Sequence, residues 1–143
     1  MPDIRHSITI DALPDRVHPL ISSGSGFAKW WAADMTEGQS NGIVELGFFN
    51  RATVYRLQLV RSAPPETQWL CQTGNEWKDT RLLFHLKESK EQTVLRFVHA
   101  GWQAETDYFV SCNTTWGELM FRLKAAAKGK NPGPLFTKTG FGY

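Results

Sequence analysis

The sequence has only two cysteines, Cys71 and Cys112, far apart and in no CxxC pattern. A structural disulfide is therefore unsupported, and a reduced compartment fits better. The N-terminal stretch MPDIRHSITIDA has no apolar signal core, and no apolar run approaches the length of a membrane span. These features predict a cytoplasmic protein without a membrane span. Charge of one sign is scarce as well: 16 basic and 14 acidic side chains leave a net +2. Lys124, Lys128 and Lys130 do cluster, but at the end of a predicted helix, where they complement the negative end of its dipole. Nucleic-acid binding would need a broad basic stripe with stacking aromatics beside it, so no nucleic-acid partner is expected.

Chemical signatures are equally sparse. The four histidines, His6, His18, His85 and His99, show no HxH or HExxH spacing. His85 and His99 lie on neighbouring strands. In the register that lets both face one way, about four residues of stagger separate them, on the order of 13 Å, against about 2 Å for a metal bond. No metal site is expected. There is no GxSxG elbow and no Cys/His signature. GSG at residues 24–26 follows a helix rather than a strand and lacks the Walker lysine. Both cysteines fall on apolar faces, where the thiol behaves as a small hydrophobe.

Aromatic side chains, by contrast, are plentiful: six Trp, nine Phe and three Tyr, or 13% of 143 residues. Hydrophobic residues make up 41% and charged residues 21%, as in a globular chain able to bury its own core. A surplus of large rings suggests that some line a cavity.

Ile4 to Ile10 alternates and predicts a first strand. Pro14 suits the first turn of a helix, and Val17, Leu20 and Ile21 follow at helical spacing. SSGSG breaks that helix, and FAKWWAAD predicts a second short one. Adjacent Trp30 and Trp31 then point about 100° apart, one inward and one at a rim. Strands follow at Ile43–Phe49, Thr53–Val60, Thr67–Thr73, Thr80–Lys87 and Thr93–Ala100, the last two a hairpin across ESKEQ. From Tyr108 onward, Phe109, Cys112, Trp116, Leu119, Met120, Leu123 and Ala127 make one apolar stripe on a helix of about five turns. Gly117 inside it costs about 1 kcal/mol against Ala, for a close backbone approach or for room beside a ligand. Residues 129–143 are an irregular Gly/Pro-rich tail, and no linker divides residues 1–143 into two domains. The expected class is α+β: a curved antiparallel sheet wrapped around one long C-terminal helix, with two short helices after strand one.

Three motifs carry a family resemblance: EWKDTRLLFHL (76–86), FVHAGW (97–102) and CNTTWGELMFRLKAAAKGKNPGP (112–134). With DALPDRVHPLI near the N-terminus, they resemble the helix-grip fold of the START-like (SRPBCC) superfamily. Within it they look most like the small bacterial proteins related to the activator of the ninety-kilodalton heat-shock chaperone's ATPase, the AHSA-like family. The resemblance implies a hydrophobic cavity, usually no cofactor, and no single reaction.

The ligand-facing candidates are Trp30, Phe48, Tyr55, Leu57, Trp69, Cys71, Phe84, Phe97, His99, Trp102, Tyr108, Cys112, Trp116 and Met120. His99 is the one polar group on an apolar strand face. It reads as a core histidine bonded to its neighbours, as a handle that orients a ligand, or as a proton-transfer group. The expected partner is a small hydrophobic molecule, lipid-like or aromatic, held between sheet and long helix without a cofactor. The alternatives are a polyketide-cyclase- or dehydratase-like enzyme using the same pocket, and a chaperone-regulating interaction protein. With no catalytic constellation in view, binding is read ahead of catalysis. A homodimer is compatible with the sequence, but nothing in it indicates one.

Overall fold

The computed structural model describes residues 1–38 and 42–142. The first strand, β1 (Ile4–Ile10), leads into helix α1 (Pro14–Ile21) and a single turn, α2 (Gly24–Phe27). Six strands follow: β2 (Asp34–Glu37), β3 (Ile43–Phe48), β4 (Thr53–Ala63), β5 (Glu66–Cys71), β6 (Arg81–Ser89) and β7 (Gln92–Ala100). The long helix α3 (Asp107–Ala127) closes the series. Among the described residues the strands form one seven-stranded sheet, ordered β1-β7-β6-β5-β4-β3-β2, with every pair antiparallel. This is the expected helix grip.

The hairpin register is the one that makes a single apolar face: Leu82 pairs with His99, Phe84 with Phe97 and Leu86 with Leu95. It turns His85 to solvent and His99 into the core. On α3 the whole predicted stripe is buried, from Phe109 to Ala127. Thr106 caps the helix by accepting a hydrogen bond from the Phe109 N–H (3.1 Å), with Asp107 in the first turn and Lys124 in the last. At the end of α1, where carbonyls lack helical partners, the Trp30 and Trp69 indoles donate to the oxygens of Leu20 and Ile21, each at 2.8 Å.

Three expectations need correcting. The second helix is the Gly24–Phe27 turn, not FAKWWAAD. The Ser23 hydroxyl accepts from the Gly26 N–H at 3.1 Å and starts it, so Trp30 and Trp31 lie in the turns beyond its end. Both indoles are buried, and neither sits at a rim. Second, β2 is an additional edge strand, paired with β3 and half exposed. Its Asp34 and Glu45 of β3 share the Arg51 guanidinium at 2.8 Å each. Third, β4 runs on to Ala63 through a register shift between Leu59 and Arg61, while β5 starts at Glu66 and stops at Cys71. Gly117 meets neither expected constraint: a Cβ there would touch only His6 Cε1, at an ordinary 3.5 Å.

The tail has no helix or strand, yet it is docked. The N–H groups of Leu135 and Phe136 donate to the carbonyls of Trp30 and Trp31, and the Ala33 N–H donates back to Phe136 O. Further along, the Asn50 N–H donates to Lys138 O at 2.8 Å. Leu135 and Phe136 are buried as a result. Tyr143, the last residue of the predicted tail, lies outside the described residues. No helix among the described residues is long and apolar enough to cross a membrane.

Candidate functional site

A pocket of about 220 Å³ lies where the first half of α3, the β3–β4 turn and the docked tail meet. Its deep wall is aromatic: Trp31, Phe48, Trp77, Trp116 and Phe136. Phe49 and Phe141, both partly exposed, form the rim, and each packs edge-on or tilted against Phe136. From the helix come Ser111, Thr115, Cys112 and Leu119, and from β4 come Thr53 and Tyr55. No charged side chain is among the described residues that line it.

The flattest element of the wall is a stack. The Tyr55 ring lies on the Trp77 indole at 3.9 Å and 2°. Gly74 makes this stack sterically feasible. It adopts a positive φ of 109°, and a Cβ there would stand 2.5 Å from Tyr55 Cε1, closer than any real contact. The Tyr55 hydroxyl in turn makes a short hydrogen bond to that of Tyr108 in the first turn of α3. Burial pushes both phenols up, Tyr108 to about 12. Cys112 is likewise pushed up by burial. Trp77 Nε1 is buried without a hydrogen-bond partner.

His99 lies behind this wall, fully buried. Its Nδ1 accepts from the Trp116 indole N–H at 3.2 Å. Because an indole nitrogen only donates, Nδ1 carries no proton, and Nε2–H donates to the Thr80 hydroxyl at 2.8 Å. The Thr80 hydroxyl donates in turn to the Trp77 carbonyl at 2.5 Å. The chain Trp116–His99–Thr80–Trp77 is closed at both ends, with the imidazole neutral. Burial pulls the His99 pKa down to about 3. The network's parts come from the motifs EWKDT, FVHAGW and CNTTW. It ties the 74–79 turn, β7 and α3 together and presents Trp77 and Trp116 to the pocket.

Of the fourteen candidates, the structure brings Phe48, Tyr55, Tyr108, Cys112 and Trp116 to the pocket. His99, Trp102, Phe97 and Trp30 stand one layer back. Trp102 lies against His99, Phe97 against Trp116 at 4.3 Å, and Trp30 against Trp31 at 5.8 Å. Leu57, Trp69, Cys71, Phe84 and Met120 are packed in the core away from the wall. Burial raises the Cys71 thiol to about 12, and neither cysteine is in a disulfide. The sequence candidates omit Trp77, Phe136 and the hydroxyls of α3, and of the adjacent pair they name Trp30 rather than Trp31. Trp31 and Trp77 occupy turns and Phe136 the tail, where no periodicity marks a face. Ser111 and Thr115 flank the apolar stripe as ordinary polar residues. The motif EWKDT was the one available signal for Trp77. Among the described residues, no group of three or more His, Cys, Asp or Glu side chains could hold a metal ion.

Comparison of the sequence with family models finds no match, and no curated protein matches it either. Solved structures do. The Aha1 dimer from Colwellia psychrerythraea superimposes with a TM-score of 0.77 at 28% identity, covering 89% of this chain and 96% of that one. A Bacillus halodurans protein gives 0.69 at 20% identity, over 89% and 97% of the two chains. CalU16 from Micromonospora echinospora gives 0.72 at 19%, over 92% of this chain and 68% of its own. By its sheet order, its long closing helix and these neighbours, the chain has the AHSA-like helix-grip fold of the START-like (SRPBCC) superfamily.

Proposed function

We propose that this protein binds a small hydrophobic molecule, aromatic rather than long-chain, in the pocket between β3–β4, α3 and the tail. One observation carries the reading: a void of about 220 Å³ walled by aromatic rings and lined by no charged side chain. A dry cavity of about 150 Å³ accommodates benzene, so this one suits one or two fused rings. An acyl chain of ordinary length exceeds this volume and would have to run out past the Phe49 and Phe141 rim. Apolar contact at roughly 25 cal/mol per Å² supplies the affinity. The hydroxyls of Tyr55, Tyr108, Ser111 and Thr115 supply orientation.

Binding is favoured over cyclase-like catalysis because general acid–base work needs a group that titrates near neutral pH. The phenols and thiol of the pocket are pushed up, and His99 is pushed down and sealed off. Native mass spectrometry of freshly purified protein, with denaturation to release any bound molecule, tests the reading. It is joined by a thermal-shift screen of one- and two-ring aromatics. Retention or stabilisation by such compounds, weakened in Trp77→Ala, is the expected result. If no compound shifts the melting temperature and none is released, the rings serve only as core.

A further inference from the structure

The hydroxyl pair of Tyr55 and Tyr108 is the wall of two spaces, not one. On its far side lies a bay of about 460 Å³ between the start of β4 and the turn at Gly74, Asn75 and Glu76. Pocket and bay have Thr53, Tyr55 and Tyr108 in common. The pocket is aromatic and uncharged. The bay is polar, and Glu76 is the one charged side chain among the described residues that line it.

Glu76 is half-buried and fixed in place. The Thr106 hydroxyl at the N-cap of α3 donates to its Oε1 at 2.5 Å. No ion pair joins it to a cation among the described residues, and no Lys or Arg lines either space. Its charge reaches the pocket wall, where it adds to the upward push on the Tyr108 phenol and the Cys112 thiol. The same field opposes any anion brought to the pocket mouth and favours a cation there.

Two hydroxyls hold two protons, and their mutual bond uses one. The other, on Tyr108, is turned toward the Cys112 thiol, a weak acceptor that a ligand group across the partition could replace. Tyr108, 39% exposed at the start of α3, is the more exposed of the pair and the side chain that a substituent crossing the partition would have to displace.

We propose that pocket and bay form one bipartite site for an aryl-alkylamine, with a one- or two-ring aromatic body among the tryptophans and a protonated amine against Glu76. Aryl carboxylates and fatty acids are disfavoured. This rests on the pocket being a hydrophobic ligand site, and it adds the charge and shape of the ligand.

Three matched probes test it by isothermal titration at neutral pH and low salt: naphthyl ethanol, naphthylethylamine and naphthylacetate. The amine should bind about fivefold more tightly than the alcohol and the acetate more weakly than either, as expected for a partly exposed ion pair. Glu76→Gln keeps an acceptor for Thr106 and should bring amine and alcohol within about twofold of each other, with the alcohol unchanged. If Glu76→Gln fails to fold, added salt on the unsubstituted protein replaces it. Screening should then shrink the amine preference and leave the alcohol alone. Equal binding of the three probes, tightest binding of the acetate, or an amine preference that survives both Glu76→Gln and salt would overturn the bipartite site. Failure of all three probes to bind would instead overturn the pocket as a ligand site.

Discussion

Lowering the pH from 8 to 5 should cost the folded protein about 2 kcal/mol through His99 alone. In the unfolded chain the imidazole takes up its proton near 6.5, whereas in the folded state burial delays uptake to about 3. Between those values the unfolded state binds more protons, so stability rises with pH there. The contribution is complete above roughly pH 7. It is lost progressively as pH falls through 6.5 toward 3, at up to about 1.4 kcal/mol per pH unit. At pH 5, one and a half units below the unfolded value, the loss comes to about 2 kcal/mol. Urea denaturation at several pH values measures it, with His99→Gln as reference. Glutamine can accept from Trp116 and donate to Thr80, but it does not titrate. The difference between the two stability curves should therefore shrink by about 2 kcal/mol from pH 8 to pH 5. Ring nitrogen shifts in NMR should show Nε2 protonated and Nδ1 bare throughout. Parallel curves, or a doubly protonated ring at pH 5, would mean that His99 is solvated, and the closed network would be wrong. Thr80→Val, which leaves Nε2–H without its acceptor, should cost about 1–3 kcal/mol at neutral pH.

Three further outcomes follow from the packing. Gly117→Ala should stabilise the protein by up to about 1 kcal/mol, since the new methyl meets only His6 at an ordinary distance and the helix gains propensity; thermal melts decide it. Gly74→Ala should do the opposite, straining a positive φ and colliding with Tyr55, and the disturbed stack should appear as a changed near-ultraviolet dichroism of the tyrosine and tryptophan bands. Neither thiol should react with a disulfide reagent at pH 8 in the native protein, because both are buried and shifted upward, whereas both should react in denaturant.

What was legible in the sequence was whatever repeats. The α3 stripe follows from a period of 3.6 and is legible residue by residue, whereas a period of 2 leaves two β6–β7 registers, of which the structure has the one that makes a single apolar face. Elements held by local chemistry were not. The strand Asp34–Glu37 has no apolar alternation, because it is an edge strand secured by backbone pairing and by Arg51. The short helix at Gly24 runs through glycines that oppose helix on propensity, and a serine cap starts it. For the pocket, position on a strand face was a partial guide: it nominated Phe48 and Tyr55, which line the pocket. It also nominated Leu57, Phe84 and His99, which point into the packed layer. The rings at the pocket, Trp31, Trp77 and Phe136, are set by turns and by backbone bonds between distant segments.

The docked tail also separates the framework of the fold from the closing of its pocket. Residues 135 and 136 follow every strand and the whole of α3 in the sequence. A chain cut after Ala127 would carry every residue of the sheet, the gripping helix and the Trp116–His99–Thr80 network. Its pocket would lack the Phe136 side, and the carbonyls of Trp30 and Trp31 would lack their donors from the tail. The framework of the fold and the enclosure of its pocket thus belong to different segments, and trimming or loosening residues 135 and 136 would release a bound molecule while leaving the grip itself in place.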